Sequence, residues 1–281
     1  MIVSRFAPSP TGLLHLGHAF SALLAYNFAK QNNGIFKLRI ENIDLLRCKE
    51  IYEEKIYEDL SWLGIKWDKE IIRQSERTLA HQNYVKLLND KELVYGCDCT
   101  RSDIENALSA ISIPKNLINK NVYPGTCKEK KLSIRNNNVR INIEKTKHYL
   151  GNIILSFKEN GFGPNGETGM QYFDLEWLQQ KFGDFIISRK DIKTSYHLAV
   201  TIDDNYQNIS FISRGNDLFY ATPIHILLQK LFKFNTPDFF HHKLINDING
   251  KKLSKSKKSE SLDKLRSTGI DLKGIKSILN I

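Results

Sequence analysis

No continuous apolar run in this 281-residue chain approaches the ~18 residues that a membrane-spanning helix needs, which argues against helical spans. The opening residues, Met1-Ile2-Val3-Ser4-Arg5-Phe6, lack the basic start and apolar stretch of a secretory signal, so a cytoplasmic protein is expected. Four cysteines are too few for a disulfide scaffold, and a chain this long does not need one. Three of them, Cys97, Cys99 and Cys127, cluster while Cys48 stands apart, which points to a metal before redox chemistry. Internal repeats are absent.

What is present is an ordinary globular composition with an uneven positive charge. Hydrophobic residues make up 41% and charged residues 26%, so the chain can bury a real core as one large domain or a domain with an insert. The net charge of +10 makes a polyanionic partner plausible. Residues 251–281 alone carry nine Lys or Arg against Glu260, Asp263 and Asp271. A solvated lysine-rich tail would look the same. A phosphate-facing surface is favoured because the charge surrounds the run Lys252-Leu253-Ser254-Lys255-Ser256.

Residues 2–6 read as a buried strand, and two prolines bar the loop Ala7-Pro8-Ser9-Pro10-Thr11-Gly12 from helix. A helix is expected from about Gly17, with Phe20, Leu23, Leu24 and Phe28 as its core-facing stripe. Gly34 ends it, and Phe36, Leu38 and Ile40 alternate as the next strand. This is an α/β start, with a loop at the first strand's carboxyl end, where open parallel sheets bind ligands. Further on, helices are expected at 49–63, 77–92 and 222–233, an insert at 97–127, and a strand through Val139, Ile141 and Ile143. Residues 158–169 read as a loop, 183–188, 196–202 and 209–213 as a second core run, and the end as two weak helices.

Two motifs far apart bear on chemistry: His15-Leu16-Gly17-His18 and the lysine run. His15 and His18 share a face on a helix's first turn, Gly17 lets the backbone approach a nucleotide closely, and a helix N-terminus favours phosphate. Lys252 and Lys255 follow the turn-forming Asn246-Asp247-Ile248-Asn249-Gly250, so they are expected on an exposed loop able to track phosphates. Taken singly, the histidines read equally as incidental and the lysines as solvated. Together they suit a site gripping ATP from two sides and forming an acyl adenylate, a reaction that needs positioning and charge stabilisation but no side-chain nucleophile.

Arg5 through His18 resembles the opening of a class I glutamyl-tRNA synthetase, Lys252–Ser256 resembles that class's second signature, and Leu38-Arg39-Ile40-Glu41-Asn42-Ile43-Asp44 resembles another block of the group. Leu253 and Asn42 depart from the common Met and Asp. The resemblance covers most of residues 2–256 and implies a Rossmann-like catalytic domain with a parallel sheet. It implies that Arg5, Phe6, Ala7, Pro8 and Ser9 contact the amino acid, that Glu41 takes its ammonium, and that Tyr196 and Arg214 complete the cage. ATP, as its Mg2+ complex, falls to His15, Gly17, His18 and Lys255, with His15, His18, Lys252 and Lys255 in the catalytic role. For any one arginine or glutamate a surface ion pair remains the alternative. Asp203-Asp204 is read as structural or ribose-adjacent.

Zinc takes four ligands, and no histidine lies between residues 82 and 147 to join the three thiols. Tyr123, four residues before Cys127, matches the fourth position of the structural zinc site in one subgroup of these proteins; a metal-free, collapsed insert is the rival. Only 25 residues follow Ser256, where a full synthetase continues into a helical anticodon-binding region. The chain thus resembles the short glutamyl-queuosine tRNA(Asp) synthetase family, although His18 stands where that family often has a small residue. The resemblance implies activation of L-glutamate without tRNA, then transfer to queuosine in tRNA(Asp). The alternatives are a truncated synthetase charging the 3′ end of tRNA(Glu) and a silent RNA-binding paralogue. Expected divisions are a first catalytic half (1–96), a zinc insert (97–130), a second half with an acceptor-type insert (131–245) and a lysine loop with a basic tail (246–281). A monomer without membrane partners is expected.

Overall fold

The computed structural model describes residues 1–109, 122–245 and 260–281. The chain opens β1 (Val3–Phe6), α1 (Leu16–Gln31), β2 (Ile35–Ile40), α2 (Glu50–Trp62), β3 (Ile71–Arg73) and α3 (Thr78–Asp90). A middle section follows: β4 (Val94–Cys97), α4 (Arg101–Ser109), β5 (Asn138–Ile141), α5 (Ile143–Leu150), β6 (Leu155–Glu159), β7 (Gly169–Phe173), α6 (Leu175–Phe182) and β8 (Ile186–Ser188). The second half runs α7 (Tyr196–Tyr206), β9 (Phe211–Gly215), α8 (Thr222–Phe232), β10 (Asp238–His242), α9 (Leu262–Ser267) and α10 (Leu272–Leu279).

Seven strands form one sheet in the order β3-β2-β1-β9-β10-β6-β7, parallel throughout except for the β6–β7 hairpin. β4, β5 and β8 form a separate antiparallel layer. The chain moves outward from β1 to β2 and β3, then returns to lay β9 on the other side of β1. That reversal opens a crevice at the carboxyl ends of β1 and β9, the place where open α/β sheets bind ligands. One apolar core packs α1, α2, α9 and α10 against β1 and β2; the other joins α3, α6, α7 and α8 to β5, β6 and β10.

Two expectations need correction. Of the proposed α1 stripe only Leu23 is fully buried, and the packing face is made of Ala19, Ala22, Ala25 and Ala29. Small side chains let α1 lie close on the sheet, close enough for Ser4 Oγ to donate to Ala25 O at 2.8 Å. Phe28, half-buried, stacks on Phe211 at the margin. The strand read through Ile143 stops at Ile141. Asn142 Oδ1 accepts from Lys145 N at 3.0 Å, and this cap starts α5 at Ile143.

Candidate active site

The proline loop after β1 is pinned beside β2: Pro8 O accepts from Glu41 N at 3.0 Å, and Pro10 O accepts from Lys49 N at 2.9 Å. Arg5, Phe6 and Pro8 are buried, Ala7 and Ser9 half-buried. Arg5 Nε donates to Asp204 Oδ1 at 3.0 Å, and Arg39 Nη1 reaches the same oxygen at 2.8 Å. Arg39 Nη2 in turn holds Glu41 Oε1 at 3.1 Å. Tyr196 begins α7, whose Ser195 cap accepts from Leu198 N, and Arg214 comes from the end of β9. Tyr196 feels the charges of Glu41, Arg214, Arg5 and Asp204, so the four residues expected to form a cage are neighbours in the fold.

Electrostatics follow from burial. Burial opposes the charge on Asp204, but Arg5 and Arg39 outweigh it and hold the carboxyl below its ordinary range. Burial wins at Glu41, whose carboxyl is raised despite Arg39 and Arg5. Burial also raises the Tyr196 hydroxyl and lowers Arg214, whose guanidinium nonetheless stays charged. Arg5, Arg39 and Arg214 stand among two acidic side chains, Asp204 and Glu41.

The histidine tetrad sits at the start of α1. His15 is the N-cap: its Nδ1 accepts from Gly17 N at 3.1 Å, while His18 Nδ1 accepts from His15 N at 3.1 Å. Both rings therefore carry their proton on Nε2 when neutral. The ring centroids are 3.8 Å apart. A Cβ on Gly17 would come within 3.1 Å of the His15 ring, so glycine is what allows this cap. Lys252 and Lys255 lie outside the described residues, as does the turn before them. The chain on either side ends at the tetrad: Ile245 Cβ is 4.0 Å from the Cβ position of Gly17, Leu262 N donates to Leu14 O at 2.8 Å, and Ser261 bridges His15. His242, just ahead, meets Ser21 Oγ at 2.7 Å.

Beyond Tyr196 opens a cavity of about 420 Å³ whose walls include Asp44, Arg47, Tyr123, Arg140 and Arg189. Its far wall adjoins the cysteines. The thiols of Cys97, Cys99 and Cys127 lie within 4.8 Å of one another. The Tyr123 hydroxyl is 3.4 Å from Cys97 Sγ and 3.5 Å from Cys99 Sγ, and accepts from Cys127 N at 2.9 Å. Three sulfurs and a phenol converging from two segments suit a tetrahedral cation. Burial opposes ionisation of Cys97, but contacts from Tyr123 and from Arg140 Nε, at 3.2 Å, outweigh it; burial pushes Cys99 up to about 11. A bound divalent cation would add to the positive charge that this set takes from Arg140 and Lys130.

Asp203 and Asp204 prove to be structural partners for cations. Asp203 is enclosed by Arg77, His81 and Gln74. Nothing in the sequence motifs assigns a role to Arg39, which organises Glu41 and Asp204, or to half-buried His197 and buried His225 and His241. The only available signals were an arginine two residues before Glu41 and the His241-His242 pair.

Residues 1–273 match the family described as tRNA synthetases class I (E and Q), catalytic domain. A glutamyl-Q tRNA(Asp) synthetase of Rhodobacter capsulatus is 38% identical over the full length of both chains. A glutamate–tRNA ligase of a Hydrogenobaculum species is 36% identical over 91% of this chain and 52% of its own length. Among solved structures, a glutamate tRNA ligase from Elizabethkingia meningosepticum in complex with its amino acid superposes with a TM-score of 0.67 and 27% identity. It is covered over 52% of its length and covers 91% of this chain, so the chain spans about half of such ligases. The switch-point crevice, the capped histidine tetrad and these matches together place the chain in the class I glutamyl and glutaminyl tRNA synthetase family, whose members are ligase-type enzymes, as a catalytic domain of that fold.

Proposed function

We propose that the chain activates L-glutamate with ATP, without tRNA, and transfers it to queuosine in the anticodon loop of tRNA(Asp). The observation that carries the reading is the clustering of Arg5, Glu41, Tyr196 and Arg214, in a chain that also has the capped histidine pair and is 38% identical end to end to a glutamyl-Q tRNA(Asp) synthetase. Glu41, fixed by Arg39, takes the substrate ammonium. Arg5 and Arg214 take its carboxylates, and a charge-paired arginine favours glutamate over glutamine.

In the first step the α-carboxylate attacks the α-phosphorus of Mg2+-bound ATP, and pyrophosphate leaves. The His15 and His18 Nε2–H groups and the α1 N-terminus offer donors for phosphate, and Lys252 and Lys255 follow charge onto the leaving group. In the second, a hydroxyl of the queuosine cyclopentenediol attacks the acyl carbon, its proton is lost, and AMP leaves. We assign entry of the acceptor to the cavity beyond Tyr196, whose aromatic and arginine lining suits a nucleoside on a phosphate backbone. Cys97, Cys99, Tyr123 and Cys127 would hold a zinc ion that cross-links two segments of the insert.

The test is glutamate-dependent exchange of pyrophosphate into ATP without RNA, then transfer of labelled glutamate to tRNA(Asp) with and without queuosine. Exchange without RNA and transfer only to the queuosine form are expected. Exchange that requires tRNA, or labelling of the 3′ end of tRNA(Glu), would favour a 3′-charging synthetase, the activity named for relatives such as the Hydrogenobaculum ligase. No exchange at all would leave a silent RNA-binding paralogue.

A further inference from the structure

Arg214 is the centre of a buried chain of hydrogen bonds whose direction is fixed. A guanidinium only donates. Its Nε donates to His241 Nε2 at 3.0 Å, Nη1 to His225 Nδ1 at 3.1 Å and Nη2 to Thr222 Oγ1 at 2.7 Å. Each imidazole nitrogen that it meets must accept, so each ring carries its proton on the other nitrogen. On His241 that is Nδ1, 2.5 Å from Glu159 Oε2. The second oxygen of Glu159 is filled by the backbone N–H groups of Gly161 and His241 at 2.7 and 2.8 Å. On His225 the proton is on Nε2, which donates to His197 Nδ1 at 3.0 Å. His197 lines the cavity beside Tyr196.

We propose that His225 and His241 are positioning residues: as neutral rings of opposite tautomer, they hold the Arg214 guanidinium in the orientation that receives the side-chain carboxylate of the amino-acid substrate. The inference rests on the proposed reading that Arg5 and Arg214 take the two carboxylates of glutamate, and it gives the side-chain one to Arg214. A second proton on either ring would set N–H against N–H of the guanidinium. The surroundings keep that proton away. Burial, then Arg214, His197, Arg5 and His241, bring His225 well below its ordinary value. Burial brings His241 down to about 4 although Glu159 pulls the other way, with Arg214 and His242 adding to the fall. Burial and Arg214 bring His197 to about 4. Tyr196 of α7 also stands against His225, with ring centroids 6.0 Å apart, and Phe239 stacks on His241.

Substitutions separate the acceptor from the bulk of the ring. His225→Asn places an amide oxygen near the Nδ1 position, and His241→Gln places one near Nε2. His225→Phe and His241→Phe keep a ring and remove the acceptor. In pyrophosphate exchange, the Phe variants are expected to raise KM for glutamate about tenfold or more, with smaller effects on kcat and on KM for ATP. The Asn and Gln variants should recover most of the loss. Independently, 15N-histidine NMR of the free wild-type protein at pH 7 should show His241 as the Nδ1–H tautomer and His225 as the Nε2–H tautomer. An imidazolium at either position, or one tautomer at both, overturns the proposal whether or not the Phe variants fold. So does an unchanged glutamate KM in folded Phe variants. A wild type without glutamate-dependent exchange would instead sink the functional reading and the carboxylate role with it, even where the tautomers stand as assigned.

Discussion

Asp204 pairs with two buried cations, Arg5 and Arg39, the second of which it shares with Glu41. Arg39 is wholly buried, and Arg5 is 7% exposed. One carboxylate oxygen of Asp204 serves both. Replacing Asp204 with Asn keeps the shape but strands a buried charge, and breaking such a pair from one side costs about 3–5 kcal/mol. Urea unfolding at pH 7 is expected to show a loss of that order, and pyrophosphate exchange a weakened grip on glutamate, because Arg5 and Arg39 lose their common anchor and Glu41 is fixed through Arg39. A loss under 1 kcal/mol would mean that water already solvates these arginines. Arg214 is anchored differently, by neutral acceptors, so its charge remains for the substrate while that of Arg5 is shared with Asp204.

Among the elements, the ends of the strands that make the site were legible and several flanking strands were not. β1 and β2 announce themselves through alternating or continuous apolar residues beside a proline loop. β3 is three residues long, too short to show periodicity. β6 and β7 fall around Gly- and Asn-rich residues, and β7 is largely exposed on the sheet's edge, so neither composition nor alternation marks it. The site was half legible for a related reason: Arg5, Glu41 and Arg214 sit in motifs, whereas His225 and His241 act only through a partner brought to them by sheet order. The α2–α9 contact was wholly hidden. Asp59 of α2 is fully buried, neither carboxylate oxygen makes a hydrogen bond, and Arg266 of α9 stands 3.7 Å away. Burial pushes Asp59 up to about 7, against Arg266, from an ordinary 3.8. A carboxyl whose pKa is raised on folding favours the fold below its unfolded value, and that contribution is lost as pH rises through 7. Wild-type stability should thus fall between pH 4 and 7 by up to about 4 kcal/mol from this group. Asp59→Asn should remove that decline in urea unfolding; an unchanged slope would show that Asp59 is ionised throughout. The cysteine insert gives a second prediction at this scale. Purified protein should carry one zinc per chain by metal analysis, and Cys127→Ser should lose it together with protection of β4 from hydrogen exchange. A metal-free wild type with the same protection would make the three thiols and Tyr123 a purely packed cluster.

Over the whole molecule the net charge of +10 is not spread evenly, and among the described residues two of the tail's nine basic residues are engaged by acids. Arg266 is paired with Glu58 and Asp263, and Lys264 with Glu260. Lys55 and Arg73 are likewise committed to acids. Two further basic groups remain: the five lysines at 251, 252, 255, 257 and 258, which lie outside the described residues, and the arginines lining the cavity beyond Tyr196, of which Arg47 and Arg189 share Asp44 as a partner. If those groups meet an RNA backbone, the two half-reactions must differ in their response to salt. Neutralising about four phosphates makes binding fall roughly a hundredfold between 50 and 200 mM salt, because counterions are released on association. Glutamate activation involves only small ligands held in a buried chamber, where screening is weak. Across that range, KM for tRNA(Asp) in the transfer step is expected to rise by about two orders of magnitude, while KM for glutamate in pyrophosphate exchange stays within about threefold. Equal salt sensitivity in both steps would assign the lysines to ATP alone, and the acceptor would then have to be recognised through the aromatic and arginine-lined cavity without help from the tail.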